Sequence, residues 1–176
     1  NPDAKKVYAN VFLVFGYGMA LLAALLMLFA PEALMIFTTP EYYGSAWVAG
    51  ILGYNLLLIS FSYIAIIGIS INKTTAPYGI AMLYATIVTI ALDIILIPKF
   101  GKEGSALATV IAQIIVPAYL FYKGQKVYPI PYKFAEVAII IITFLIVVVG
   151  IRLIHFNKLT IQIFVKIFVA ILLTAG

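Results

Sequence analysis

Asp93 is the side chain of this 176-residue chain that packing alone explains least well. It sits within an apolar run, five residues before Pro98, and a carboxylate in hydrocarbon is costly unless it has a partner or a task. On a helix, Gly79, Met82, Thr86, Thr89 and Asp93 fall on one stripe by three- and four-residue steps. A stripe of that kind suits the wall of a water-filled cavity, where the carboxylate takes up a proton or a sodium ion. The competing reading is a structural Asp near the membrane interface that accepts hydrogen bonds from a neighbouring helix or pairs with Lys99.

Three further residues have chemistry of the same sort. Asn55 shares a helical face with Ser62 and lies deep enough in its run to need a hydrogen-bond partner, from protein or from substrate. Gln113 follows Ser105 and Thr109 at four-residue steps, ahead of Pro117, and is placed either to contact a sugar or headgroup or to hold helices together. Lys166 lies well inside the last apolar run, positioned to attract an anionic group such as a pyrophosphate, or to sit in an interfacial helix that never crosses. His155 is the sole histidine and, beside Arg152 at a helix end, reads as interfacial rather than catalytic. No metal-ligand spacing, nucleotide-binding glycine loop or nucleophile elbow is present in the sequence, and zero cysteines exclude disulfides and thiolate chemistry.

The elements that must carry these residues are apolar runs. The chain is 65% hydrophobic and only 10% charged, where a soluble domain carries about 25% charge. Mean hydropathy is +1.19. Six segments emerge: 11–30, 46–71, 77–97, 105–122, 134–153, and a last one from about Leu159 that the chain end cuts short. Each complete segment is long enough, at about 1.5 Å per residue, for a hydrocarbon core of about 30 Å. The runs lack the alternation of barrel strands. The expected fold is therefore an all-α integral membrane protein with about six transmembrane helices. The stretch from Pro31 to Ser45 reads as an interfacial loop, with Tyr42, Tyr43 and Trp47 as an aromatic belt.

Charge placement predicts the topology. Lys5, Lys6, Lys73, Lys123, Lys126 and Lys133 fall on one side, and Lys99, Lys102, Arg152 and Lys158 on the other. The positive-inside rule puts the first set, and with it the N-terminus, in the cytoplasm. The net charge of +5 is thus carried by helix ends that contact lipid headgroups. It forms no basic patch interleaved with aromatics, which argues against nucleic acid as a partner. Asn72-Lys73-Thr74 matches a glycosylation acceptor, but on this topology it is cytoplasmic. Gly16-Tyr17-Gly18 lies inside a continuous apolar run where a filter loop cannot form, and Gly16, Ala20 and Ala24 read instead as a small-residue seam for helix packing. The start without Met or signal peptide, and the apolar end at Gly176, read as a piece of a larger transporter-sized protein.

The segment Leu92-Asp93-Ile94-Ile95-Leu96-Ile97-Pro98-Lys99-Phe100-Gly101-Lys102-Glu103-Gly104-Ser105-Ala106 reads as a membrane helical hairpin. It follows the run Leu28 to Leu34, which leads through Glu41-Tyr42-Tyr43-Gly44-Ser45-Ala46 into a helix. In this order the motifs resemble the C-terminal part of the polysaccharide exporters, or lipid-linked oligosaccharide flippases, of the multidrug/oligosaccharidyl-lipid/polysaccharide superfamily. Family members carry an apolar-Ile-Pro-x-x-Gly-x-x-Gly-Ala-Ala sequence. Here Ser105 stands in place of the usual Ala, and Asp93 occupies a place often held by Asn. The likeness covers roughly residues 11–122.

The resemblance implies the C-terminal portion of a 12–14-helix transporter with two lobes around a central cavity. Residues 1–122 would supply the last four helices of the second lobe, and residues 123–176 a loop and an appended helix pair. It implies a non-enzymatic flippase in the inner (cytoplasmic) membrane, acting on polyprenyl-linked saccharide units by alternating access and requiring no cofactor. Its partners would be membrane lipids, the lipid-linked saccharide and a coupling proton or sodium ion. The cavity candidates are Asp93, Asn55, Gln113 and Lys166. Two other readings stand beside it: an ion-coupled multidrug exporter of the same superfamily, and a part of a membrane-embedded glycosyltransferase or polymerase.

Overall fold

A computed structural model describes residues 2–70, 76–153, 166–171 and 174. The described elements are α1 (Pro2–Phe37), a 3-10 turn (Pro40–Ser45), α2 (Ala46–Ser70), α3 (Ala76–Gln113), α4 (Ile115–Val127) and α5 (Phe134–Leu153), with no strand among the described residues. Helices are what such a sequence must form. Apolar runs of this length leave backbone N–H and C=O groups no water to bond, so every group must be satisfied within its own segment.

Among the described residues four stretches are long and apolar enough to cross a membrane, where six segments were expected over the whole chain. The third stretch, Ala76–Val127, is 52 residues long and contains two of those segments. A straight helix of that length would measure about 78 Å, far beyond a hydrocarbon core. It is not straight. Gly101 has φ 57° and ψ −133°, a conformation that breaks the helix inside α3. Three residues on, Gly104 lies directly against the Leu96 carbonyl and the Ile97 nitrogen. Residues eight apart in a continuous helix are separated by about 12 Å, so the chain folds back here into two arms, 76–100 and 102–127. The hairpin read from Pro98 and the two glycines is present. The sixth expected segment lies largely outside the described residues, as do Asn72, Lys73, His155 and Lys158. Its described portion, 166–171, is helical.

Two proline effects differ from each other. Pro117 has no N–H for the Gln113 carbonyl, and regular helical bonding is interrupted at Ile114, whose N–H turns to Ile111 O at 3.3 Å. Pro31, expected to close the first helix, lies inside it instead, and α1 runs on to Phe37. Pro31 deprives the Met27 carbonyl of its partner four residues ahead, but the Arg152 guanidinium donates to that carbonyl at 3.3 Å. The helix therefore crosses the proline without leaving a buried carbonyl bare. It ends at Thr38, where both the backbone N–H and the Oγ1 hydroxyl donate to Leu34 O, at 2.9 and 2.7 Å.

Within the bundle α2 packs on α1, α3 and α4, and α5 lies against α1. The α1 seam is built from small residues. Ala20 and Ala24 are fully buried, and a Cβ at Gly16 would come within 2.9 Å of Val137 Cγ1. That seam lets α2 and α5 approach closely, as the spacing predicted. At the end of the bundle near the N-terminus, Phe12 is enclosed by the rings of Phe61, Phe121, Tyr132 and Phe134, at centroid distances of 5.0–5.5 Å. One side chain thus ties α1 to α2, α4, α5 and the loop before α5. Burial in this hub, with a smaller effect from nearby Tyr8, raises the Tyr132 phenol above its ordinary range. Gln125 fixes the same loop by a two-way bond: its Nε2 donates to Ile130 O at 2.6 Å, and Ile130 N–H donates to its Oε1 at 2.9 Å.

Contacts made by several described cations lie at two different ends of the bundle. Lys5 lies over Tyr128 and Lys133 pairs with Glu136 at one end. At the other, Lys102 donates to Ser45 Oγ at 3.1 Å, joining the hairpin turn to the 3-10 turn. The two hairpin glycines make a direct prediction. Gly101→Ala should cost about 1–3 kcal/mol for its positive φ, and Gly104→Ala should destabilise by about the same through collision with rigid backbone. Ala at Gly79, which has open space around it, should be neutral. Thermal unfolding in detergent reads all three.

Candidate functional site

The side of α3 that faces away from the bundle is largely apolar, with Leu83, Ile87, Ile90 and Ile94 exposed, and the stripe from Gly79 to Asp93 runs among these residues. The first arm packs inward through Ala81 and Ala85, both buried against the cluster formed with Ala65, Val116 and Leu120. Gly79, Met82 and Thr86 are exposed, and Thr89 and Asp93 are half-buried. Thr86 and Thr89 donate to their own helix, at Met82 O and Ala85 O, both at 2.9 Å. Each hydroxyl oxygen is thereby left with acceptor capacity on the outer face. Asp93 sits in a shallow groove with Ile90, Ile94, Ile97 and Pro98. Its Oδ1 is shielded from solvent and accepts no hydrogen bond. The ion pairs among the described residues are Lys133–Glu136 and Lys166–Glu32, so Asp93 is not held by Lys99.

Asn55 is half-buried on α2, and its Oδ1 is likewise enclosed without a partner. The hydroxyl of the adjacent Tyr54, a residue only 8% exposed, is in the same condition. Ser62, on the Asn55 face, is satisfied by its own helix through Leu58 O at 3.1 Å. Gln113 is half-buried at the end of α3. Thr109, from the same stripe, donates to Ser105 O at 3.0 Å, a bond within its own helix. An apolar cavity of about 300 Å³ opens between α2, the second arm of α3 and α5, lined by residues that include Tyr54, Leu58, Val110, Ile114, Ile141 and Leu145. None of the four sequence-predicted residues lines it.

Lys166 has an anion, and it comes from within the chain. Its ammonium is 1% exposed and lies 2.5 Å from Glu32 Oε1. The other carboxylate oxygen, Oε2, is buried without a hydrogen bond. Close by, the Arg152 guanidinium stacks on the Trp47 ring at 4.0 Å and donates to both Met27 O and Ala46 O. Three helices and the final segment therefore meet around one carboxylate, one ammonium and one guanidinium. Sequence reasoning assigned Arg152 only to an interfacial loop and did not pair Glu32 with anything. The available signal was Pro31, which frees a carbonyl at Met27 that some donor must fill.

The four predicted residues are thus distributed. Asp93 marks the outer face of α3, Asn55 and Gln113 lie in the walls of the helix bundle, and Lys166 belongs to the charge cluster. The Lys166–Glu32 pair yields a clean expectation. Glu32→Gln or Lys166→Met alone leaves an uncompensated buried partner and should cost about 3 kcal/mol, while the double change Glu32→Met with Lys166→Met recovers most of it. A double-mutant cycle on unfolding in detergent measures the difference. Comparison with known proteins adds no assignment: no family model matches the chain, and neither does any curated protein or solved structure.

Proposed function

We propose that the chain is part of a flippase that moves polyprenyl-linked saccharide units across the cytoplasmic membrane by alternating access. The observation that carries this reading is Asp93, a carboxylate in a spanning helix whose Oδ1 is shielded and unbonded, in line with Thr86 and Thr89 on the first arm of α3. Polar and ionisable groups on a spanning helix are costly against lipid and belong against protein or a water-filled path. A line of two hydroxyls and a carboxylate on an otherwise apolar helix suits a polar path between two sets of helices, and secondary transporters place such paths near the membrane midplane. The hairpin resemblance supports the same family, with α1 to α4 in the second lobe of a two-lobe transporter. The lysine-rich end faces the cytoplasm in this reading.

Asp93 is the coupling group for a proton or sodium ion; Asn55 and Gln113, in the walls of the bundle, lie apart from it and are not assigned to the same path. Transport of this kind involves no covalent chemistry. The test is deletion of the full gene, followed by assay of surface polysaccharide and of lipid-linked intermediates. The expected result is loss of the polysaccharide and accumulation of its lipid-linked precursor. Normal polysaccharide with raised sensitivity to organic cations would replace the flippase by a drug exporter. In a well-expressed protein, Asp93→Asn should lower transport by about tenfold or more, corresponding to about 1.4 kcal/mol; unchanged transport would reduce Asp93 to a packing residue.

A further inference from the structure

The end of the bundle near the N-terminus carries an arrangement that the transport reading does not use. Lys123 and Lys126 leave successive turns at the end of α4, each with its ammonium over the tyrosine four residues earlier. Lys123 lies 5.6 Å from the Tyr119 ring centroid and Lys126 lies 4.3 Å from that of Tyr122. Across from them, Lys5 of α1 sits 4.7 Å from the ring of Tyr128. Cation–π contacts hold an ammonium in place while leaving its charge unneutralised. Among the described side chains at this end the one carboxylate is Glu136, and Lys133 holds it at 3.1 Å. Lys5, Lys123 and Lys126 therefore have no anionic partner among the described residues. They stand at the ends of the apolar stretches Lys5–Phe37 and Ala76–Val127, where the headgroups of a surrounding membrane would meet them.

We propose that this Lys/Tyr end is a binding surface for the phosphate headgroups of anionic membrane lipids. Three ammoniums fixed on aromatic rings form a preset cluster, and tyrosine rings suit the same boundary, with an apolar body and a polar tip. A headgroup phosphate meets these charges without any rearrangement of α4, and its acyl chains lie along the apolar helix faces beneath. Each lysine near a charged membrane surface contributes about fivefold in affinity, so three contribute about a hundredfold. The attraction weakens with salt because the groups are open to solvent. The assignment requires only that the helices sit in a membrane and is independent of what the protein transports.

The full chain is reconstituted in nanodiscs of mixed phosphatidylcholine and phosphatidylglycerol, and the lipids retained around it are counted by native mass spectrometry. The wild-type chain should enrich phosphatidylglycerol, and added salt should reduce the enrichment. Combining Lys5→Gln, Lys123→Gln and Lys126→Gln should abolish most of it. Lys99→Gln with Lys102→Gln, at the opposite end, should leave it intact. Tyr119→Leu with Tyr122→Leu keeps every charge and should still weaken the preference several-fold. Helix content by circular dichroism identifies any variant that has lost its fold; for such a variant, single Lys→Gln changes replace the combination, with about fivefold expected from each. Unchanged enrichment in the lysine variants would overturn the proposal, as would an equal loss from the opposite-end pair. Equally tight binding of inorganic phosphate to the detergent-solubilised chain would assign the site to a free anion and overturn the lipid assignment.

Discussion

The guanidinium of Arg152 holds together elements that the rest of the bundle relies on. It donates to the Met27 carbonyl that Pro31 leaves free, donates to Ala46 O at the start of α2, and rests on the Trp47 ring. Because that carbonyl is satisfied, α1 can continue past its proline to Phe37. The extra turns carry Glu32 to the place where it meets Lys166. A bare carbonyl in hydrocarbon costs several kcal/mol, so a helix with Pro31 and no such donor would be expected to bend or end there. Close packing supplies the rest of the joint. A Cβ on Gly50 would crowd Met27 Cγ at 2.7 Å and the guanidinium at 3.2 Å, and this glycine lets α1 and α2 approach near enough for one arginine to reach both.

The opposite end is held by a different chemistry. Phe12 and four surrounding rings fill the space between α1, α2, α4 and α5, and Gln125 shapes the loop that delivers Tyr132 and Phe134 to that cluster. One end is thus closed by charge and carbonyls, the other by stacked aromatics. Between them small residues such as Ala20, Ala23 and Ala24 interleave with buried Leu28, Leu57, Phe144 and Val148, and the small ones allow the close approach that association inside a membrane favours.

The sequence disclosed what depends on neighbours along the chain and concealed what depends on neighbours in space. Helical segments follow from run length. The reversal after Pro98 follows from Gly101, whose φ of 57° suits glycine best, and from Gly104, which has no room for a Cβ. The seam of Gly16, Ala20 and Ala24 was equally readable. The end of α1 was not, because a local reading of Pro31 omits a donor 121 residues away in the chain, at Arg152. Lys166 illustrates the same limit: a buried ammonium implies an anion, but run lengths do not say that Glu32 provides it. For the candidate site, periodicity identified the stripe from Gly79 to Asp93 as one face of a helix. It did not say that Ala81 and Ala85 would take the inward side and leave that stripe outside.

In the proposed transporter, the stripe from Thr86 to Asp93 lines a water-filled path and does not rest against lipid. The sequence holds no cysteine, so water access along the helix is measurable by single substitutions such as Thr86→Cys and Thr89→Cys, compared with Leu83→Cys and Ile87→Cys on its flanks. Labelling by a membrane-impermeant maleimide, with the full protein in its native membrane, reports water access at each position. Fast labelling is expected along the Thr86–Thr89 stripe, slowed by the proposed saccharide substrate, with little labelling at the flanking positions. Uniform protection of all four positions would place the stripe against lipid or protein and contradict the proposed path.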